Sequence, residues 1–104
     1  MTESDIEKRL GKQLRKLGCL YFKFVSPGSV GVPDRIIILP GGRIIFAELK
    51  AEDGKLSRSQ VYTASILRRQ GCDVRLVRGI QGAEELTVSI MQQLAEDIGG
   101  MNGV

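Results

Sequence analysis

Three side chains of this sequence are placed where carboxylate, amine and cation chemistry could meet: Asp34, Glu48 and Lys50. Glu48 and Lys50 lie two positions apart in the β-rich run RIIFAELK, residues 43–50. Successive side chains of a strand point to opposite faces. Ile44, Phe46, Glu48 and Lys50 therefore share one face, and Ile45, Ala47 and Leu49 form a wholly apolar second face that should pack inward. Pro40-Gly41-Gly42 joins this run to a second one, Arg35–Leu39, as a hairpin turn. If Leu39 opposes Arg43, Asp34 falls opposite Glu48, and cross-strand partners hold their Cβ atoms ~5 Å apart on one face. Two carboxylates so placed repel each other. A divalent cation would relieve that repulsion, and oxygen ligands suit Mg²⁺ or Mn²⁺. Lys50, on the same face, can position an attacking water or stabilise charge on a phosphate. The bland alternative is a salt bridge from Lys50 to the pair, with Asp34 only capping a turn. Pro33 before Asp34, the hydrophobic strand after it and the length of the turn favour the cation-binding reading.

The elements that must carry these residues can be read along the chain. Ile6, Leu10, Leu14 and Leu17 make an apolar stripe at helical spacing over about residues 4–17, and Gly18 ends it. Residues 20–25 read as a strand rich in aromatic β-formers. Ser26–Pro33 (SPGSVGVP) is a loop by its two prolines and two glycines. After the hairpin comes a polar loop over residues 51–56. A second helix starts near Ser57 and ends at Gly71, with Val61, Ala64 and Leu67 expected inward. A fourth strand covers residues 73–77. A third helix runs from about Gln81 to Ile98, with Ala83, Thr87, Ile90, Met91, Leu94 and Ile98 on one face. The order αβββαβα implies an α/β domain with helices covering a mixed sheet. The link from third to fourth strand is a right-handed crossover if those strands are parallel. The expected organisation is one domain over residues 1–98 and a flexible tail over residues 99–104.

Composition narrows the chemistry. The chain has 104 residues, enough for one domain with a thin core that dimerisation would help. It contains no histidine, which excludes a histidine-based triad or general base. Its two cysteines, Cys19 and Cys72, cannot build a usual zinc site and read as reduced, mostly buried thiols. Residues 1–78 carry 15 basic against 8 acidic side chains, an excess that suits a phosphate-binding surface. No apolar stretch approaches the ~18 residues of a bilayer span, and the charged start MTESDIEKRL has no signal-peptide core. The expectation is a cytoplasmic protein with no membrane partner.

The run Gly31–Lys50, GVPDRIIILPGGRIIFAELK, resembles the core of the PD-(D/E)xK nucleases. More narrowly it resembles the VRR-Nuc family in its compact stand-alone form, known from phages and bacteria. The likeness extends to KFVSPGSVGVPD (residues 23–34) and GKLSRSQ (residues 54–60), and covers roughly residues 4–80. The resemblance implies a restriction-endonuclease-like fold, dependence on a divalent metal, phosphodiester hydrolysis in DNA, and a homodimer. Carried onto this chain, it makes Asp34 and Glu48 the metal-binding carboxylates and Lys50 the catalytic lysine. The carbonyl of Leu49, between them on the strand, would be a further ligand. The class also places an acidic residue on the first helix. Glu7, which borders the buried stripe, is the choice, and Glu3 is the fallback. Gln60 matches the family's glutamine at the start of the second helix. It competes with a local role, because Ser57-Arg58-Ser59-Gln60 is a capping box. Both roles can hold, since a helix N-terminus near the site also attracts phosphate.

Around this centre, Ser26 and Ser29 could contact phosphate from the loop, as could Lys23, Lys55 and Arg58; ordinary loop serines and solvated surface charge are the alternatives. No helix-turn-helix or zinc finger is visible, so selectivity should depend on DNA shape. A two-fold dimer with two sites at fixed separation would match branched DNA such as a four-way junction. The rivals are a flap-directed or weakly specific nuclease, a DNA-binding module that lost cleavage, and a small protein whose basic patch binds RNA.

Overall fold

The chain folds into a four-stranded mixed sheet with helices on both faces, and the computed structural model describes residues 2–102. The elements are α1 (Glu3–Lys16), β1 (Leu20–Lys23), β2 (Arg35–Ile38), β3 (Ile44–Lys50), α2 (Arg58–Arg69), β4 (Asp73–Arg78) and α3 (Gly79–Asn102). Strand order in the sheet follows chain order, β1-β2-β3-β4. The β1/β2 and β2/β3 pairs are antiparallel; β3/β4 is parallel, so α2 is the crossover that parallel pairing requires.

The hairpin turn sets the register of the central strands. Gly41 and Gly42 both take φ of +97°, which a side chain would resist. Leu39 N–H donates to the Arg43 carbonyl at 2.9 Å and Gly42 N–H to the Leu39 carbonyl at 2.9 Å. Arg35 then pairs with Ala47 and Ile37 with Ile45. The register expected from the turn is the one observed.

The two faces of this sheet differ. On one face, α1 and α3 close a core of Ile6, Leu10, Leu14, Tyr21, Ile37, Ile45, Ala47, Leu49, Val77, Ala83, Leu86 and Ile90. Gly11 lets α1 approach β1, because a Cβ there would lie 2.8 Å from the Tyr21 ring. Thr87 Oγ1 to Gln13 Oε1 (3.2 Å) and Arg9 to Glu84 (3.3 Å) tie the two helices together. On the other face α2 covers only the β4 side, where Ala64 and Val74 are buried. On that face β1, β2 and the Ile44 end of β3 remain open: Phe22 is 51% exposed and Ile44 46%.

This uneven cover corrects several expectations. Val61, expected inward, is 53% exposed, because α2 reaches the sheet through one narrow line. Met91 and Ile98 are also exposed, since α3 is buried only along the stretch that crosses the sheet and α1, with Leu86 taking a core place instead. The helix α3 begins at Gly79 and continues to Asn102. It therefore runs past Ile98 into the segment expected as a tail: its glycines lower helix propensity but no proline breaks the ladder. Residues 103 and 104 of that segment lie outside the described residues. β1 stops at Lys23, two residues short of the expected end. Cys19 is buried, Cys72 half-buried, and both are free thiols. No helix among the described residues is long and apolar enough to cross a membrane.

Candidate active site

The polar end of β3 meets the start of β2 where α2 begins. Asp34 immediately precedes β2, and continuing the Arg35–Ala47 register sets it opposite Glu48. The two residues interlock. Asp34 N–H donates to Glu48 Oε2 at 3.1 Å, and Leu49 N–H donates to Asp34 Oδ1 at 3.2 Å. Glu48 is the buried charged residue among the described residues, 8% exposed. Lys50 Nζ lies 3.9 Å from Glu48 Oε1 on the same face.

Burying two carboxylates together costs free energy, and their pKa values record it. Burial pushes Glu48 up to about 7, with the neighbouring Asp34 charge adding to the shift while Lys50 and the Asp34 N–H oppose it. Burial also raises Asp34, against the Leu49 N–H and the Arg35 guanidinium. The pair thus meets neutral pH with one carboxyl close to half protonated. Paired oxygen donors whose charges are under-compensated are what a divalent cation would neutralise.

The second helix braces the pair. Gln60 Nε2 donates to Glu48 Oε1 at 2.7 Å. The same side chain's Oε1 accepts the Ser57 N–H at 2.8 Å, while Ser57 Oγ accepts the Gln60 N–H at 3.2 Å. The capping box and the contact to the site therefore coexist in one residue, as the sequence allowed. The loop before Asp34 is pinned to this helix too. A Cβ on Gly31, whose φ is +87°, would collide with the Ser59 carbonyl, and Thr63 Oγ1 donates to the Val30 carbonyl at 3.1 Å.

The other expected residues fall into two groups. Ser29, Lys23, Lys55 and Arg58 are exposed, and Ser26 is half-buried with its carbonyl accepting the Ser29 N–H at 3.2 Å. Lys23 pairs with Arg35 across β1 and β2. None of these touches Asp34 or Glu48 in the hydrogen bonds and ion pairs of the described residues. Glu7 does not turn to the carboxylates; its Oε1 lies 3.7 Å from Arg35 Nη2. The α1 carboxylate whose charge reaches both Asp34 and Glu48 is the fallback, Glu3, which raises both pKa values. Among the described residues no three carboxylates or thiols converge closely enough to enclose an ion. The donor set in place is Asp34 and Glu48, two hard oxygen groups that fit Mg²⁺ or Mn²⁺ with water completing the shell. Arg35 was not singled out from sequence; its position next to Asp34 was the available signal.

Comparison with known proteins follows the same line. No family model matches the chain. A curated relative, "Putative nuclease p44" of Acyrthosiphon pisum secondary endosymbiont phage 1, is 55% identical over 55 residues, 53% of this chain. The chain spans 59% of that relative's length. A solved structure described as a VRR_NUC domain superposes with a TM-score of 0.74 at 28% identity, over 83% of this chain and 95% of that one.

Proposed function

We propose that the chain is a VRR-Nuc family member and a divalent-metal-dependent endonuclease that hydrolyses phosphodiester bonds in branched DNA. The observation that carries this reading is the interlocked Asp34–Glu48 pair with the Lys50 amine 3.9 Å from Glu48. Asp34, Glu48 and the Leu49 carbonyl would hold Mg²⁺ or Mn²⁺, with Glu3 rather than Glu7 as the α1 carboxylate whose charge acts on both. When bound, the ion supplies Lewis-acid polarisation of the phosphate and a more acidic water. Lys50 orients the attacking water and offsets charge that builds on the phosphate oxygens. Gln60 fixes the Glu48 carboxylate against the first turn of α2. Water attacks phosphorus, the P–O bond to the leaving sugar oxygen breaks, and no covalent enzyme intermediate forms. The α2 N-terminus, with Ser26, Ser29, Lys55 and Arg58, would supply phosphate contacts, whereas Lys23 shares the opposite face of the sheet with Arg35.

A homodimer supports the preference for branched DNA. Away from the carboxylate pair, the open half of the sheet presents Leu20, Phe22 and Ile44 half-exposed, with Ile36, Ile38 and Phe46 on the same face. Such a face suits a second copy carrying the same apolar surface. Two sites related by a two-fold axis would then meet two equivalent strands of a four-way junction.

The test uses labelled four-way junction, flap and linear duplex, each with Mg²⁺, Mn²⁺ or EDTA. Metal-dependent cutting of the junction ahead of the other two is expected. Preferential flap cutting would move the protein to the first rival. Binding without cutting, under every metal condition, would leave only a DNA-binding module.

A further inference from the structure

We propose that Arg35, anchored by Glu7, is the positioning residue that holds Asp34 in its metal-binding pose. This inference rests on the reading of Asp34 and Glu48 as the metal carboxylates. It also gives Glu7 a role other than ligation.

Asp34 lies in the last position before β2, where no ladder partner of its own is guaranteed. Both its backbone groups are nevertheless engaged. The N–H goes to Glu48 Oε2, and the carbonyl accepts two donors, Phe24 N–H at 2.9 Å and Arg35 Nη1 at 2.9 Å. The Arg35 side chain folds back on its own strand to reach that carbonyl. A free arginine would not hold such a conformation, given the rotamer entropy it loses. Two further contacts hold it: Glu7 Oε1 at 3.7 Å from Nη2, and the Tyr21 ring, whose centroid lies 5.9 Å from the guanidinium carbon. The side chain is 14% exposed, so these contacts act with little solvent between them.

The result is a chain of contacts from α1 to the site: Glu7, Arg35, Asp34. It enters from the closed face of the sheet, where Arg35 sits in register with Lys23 and near Tyr21. Lys50 and Gln60 act on Glu48 from the open face. Each of the two residues therefore has a cation beside it, Arg35 at the Asp34 backbone carbonyl and Lys50 at the Glu48 carboxylate, and the two cations approach from opposite sides. Arginine suits the task because its planar fork can bond a carbonyl with one nitrogen and face a carboxylate with the other. Lysine offers a single ammonium.

The experiment measures Mn²⁺ affinity of the full chain by calorimetry, without DNA, for Arg35→Met, Glu7→Gln and the double variant. Arg35→Met should weaken binding by about 10- to 100-fold, the usual cost of losing a group that orients a ligand. Glu7→Gln should weaken it less. The double variant should bind as Arg35→Met alone does, since Glu7 acts only through Arg35. Arg35→Lys should fall between wild type and Arg35→Met. Losses that add in the double variant would make Glu7 an independent ligand and overturn the proposal. So would wild-type affinity in a folded Arg35→Met, with folding read by circular dichroism. If Arg35→Met does not fold, the same cycle with Arg35→Lys decides: non-additive losses support the brace, additive or absent ones overturn it. Asp34→Asn separates this failure from a deeper one. If it binds Mn²⁺ as wild type does, the two-carboxylate metal site itself is wrong.

Discussion

The two faces of one strand, β3, do opposite work. Ile45, Ala47 and Leu49 are sealed beneath α1 and α3. Phe46, Glu48 and Lys50 interleave with them one residue at a time and look toward α2 and the open half of the sheet. The closed face is apolar, contiguous and supplies stability. The other face places a buried carboxylate beside a second one, an arrangement that costs stability and makes sense only if something compensates the charge. Alternation along a strand lets seven residues serve both ends without either compromising the other.

The sharpest way to break this comparison is to change residues on each side of the sheet. Lys50→Ala and Glu48→Ala should lower metal-dependent cleavage on the order of 10³-fold in a gel assay. Glu48→Ala should leave the melting temperature equal or higher, because it removes a buried charge. A large loss of stability in Glu48→Ala would mean that the carboxylate is structural. On the closed face, Leu10→Ala should cost about 2–5 kcal/mol in urea unfolding while a folded remnant keeps its metal affinity.

A smaller effect concerns pH. Glu48 has a folded pKa of about 7 against its usual 4.5. Protonation therefore favours the folded state. Its stabilising contribution is fully present below about 4.5 and is lost as pH rises through about 7. The metal-free protein should thus melt at higher temperature at pH 5.5 than at pH 8, and Glu48→Gln should flatten that difference. A saturating divalent ion should reverse the trend, because it competes with the proton. Equal melting temperatures at both pH values would show that the pair is not charge-strained.

The smallest expected change is on the open apolar surface. Phe22→Ser should alter unfolding free energy by no more than about 1 kcal/mol, yet shift any dimer toward monomer in sedimentation. A large destabilisation of the monomer would place Phe22 in a core that its exposure does not indicate.

Much of the site was legible because it depends on local rules. A turn of fixed length sets a register, and a register with period two sets the faces. Hence Asp34 opposite Glu48, and Lys50 beside it, followed from spacing. The Ser57–Gln60 capping box was legible for the same reason. Glu7 was not: helical spacing showed that it borders the buried stripe, but not that Arg35 would fold back to meet it. Val61 and Met91 failed similarly. Periodicity identifies the apolar side of a helix, but it does not say how wide a strip the sheet will cover.

The sequence by itself determined the elements, the hairpin pairing and the identity of the carboxylate pair, because each follows from neighbours a few residues apart or across one tight turn. Only the tertiary structure decided which helix covers which face, where half a sheet stays open, and that Arg35 meets the Asp34 backbone and Gln60 the Glu48 carboxylate from opposite sides. Those outcomes depend on contacts between segments far apart in the chain, such as Glu7 with Arg35 and Gln60 with Glu48. Their geometry is set by packing, which no local pattern encodes.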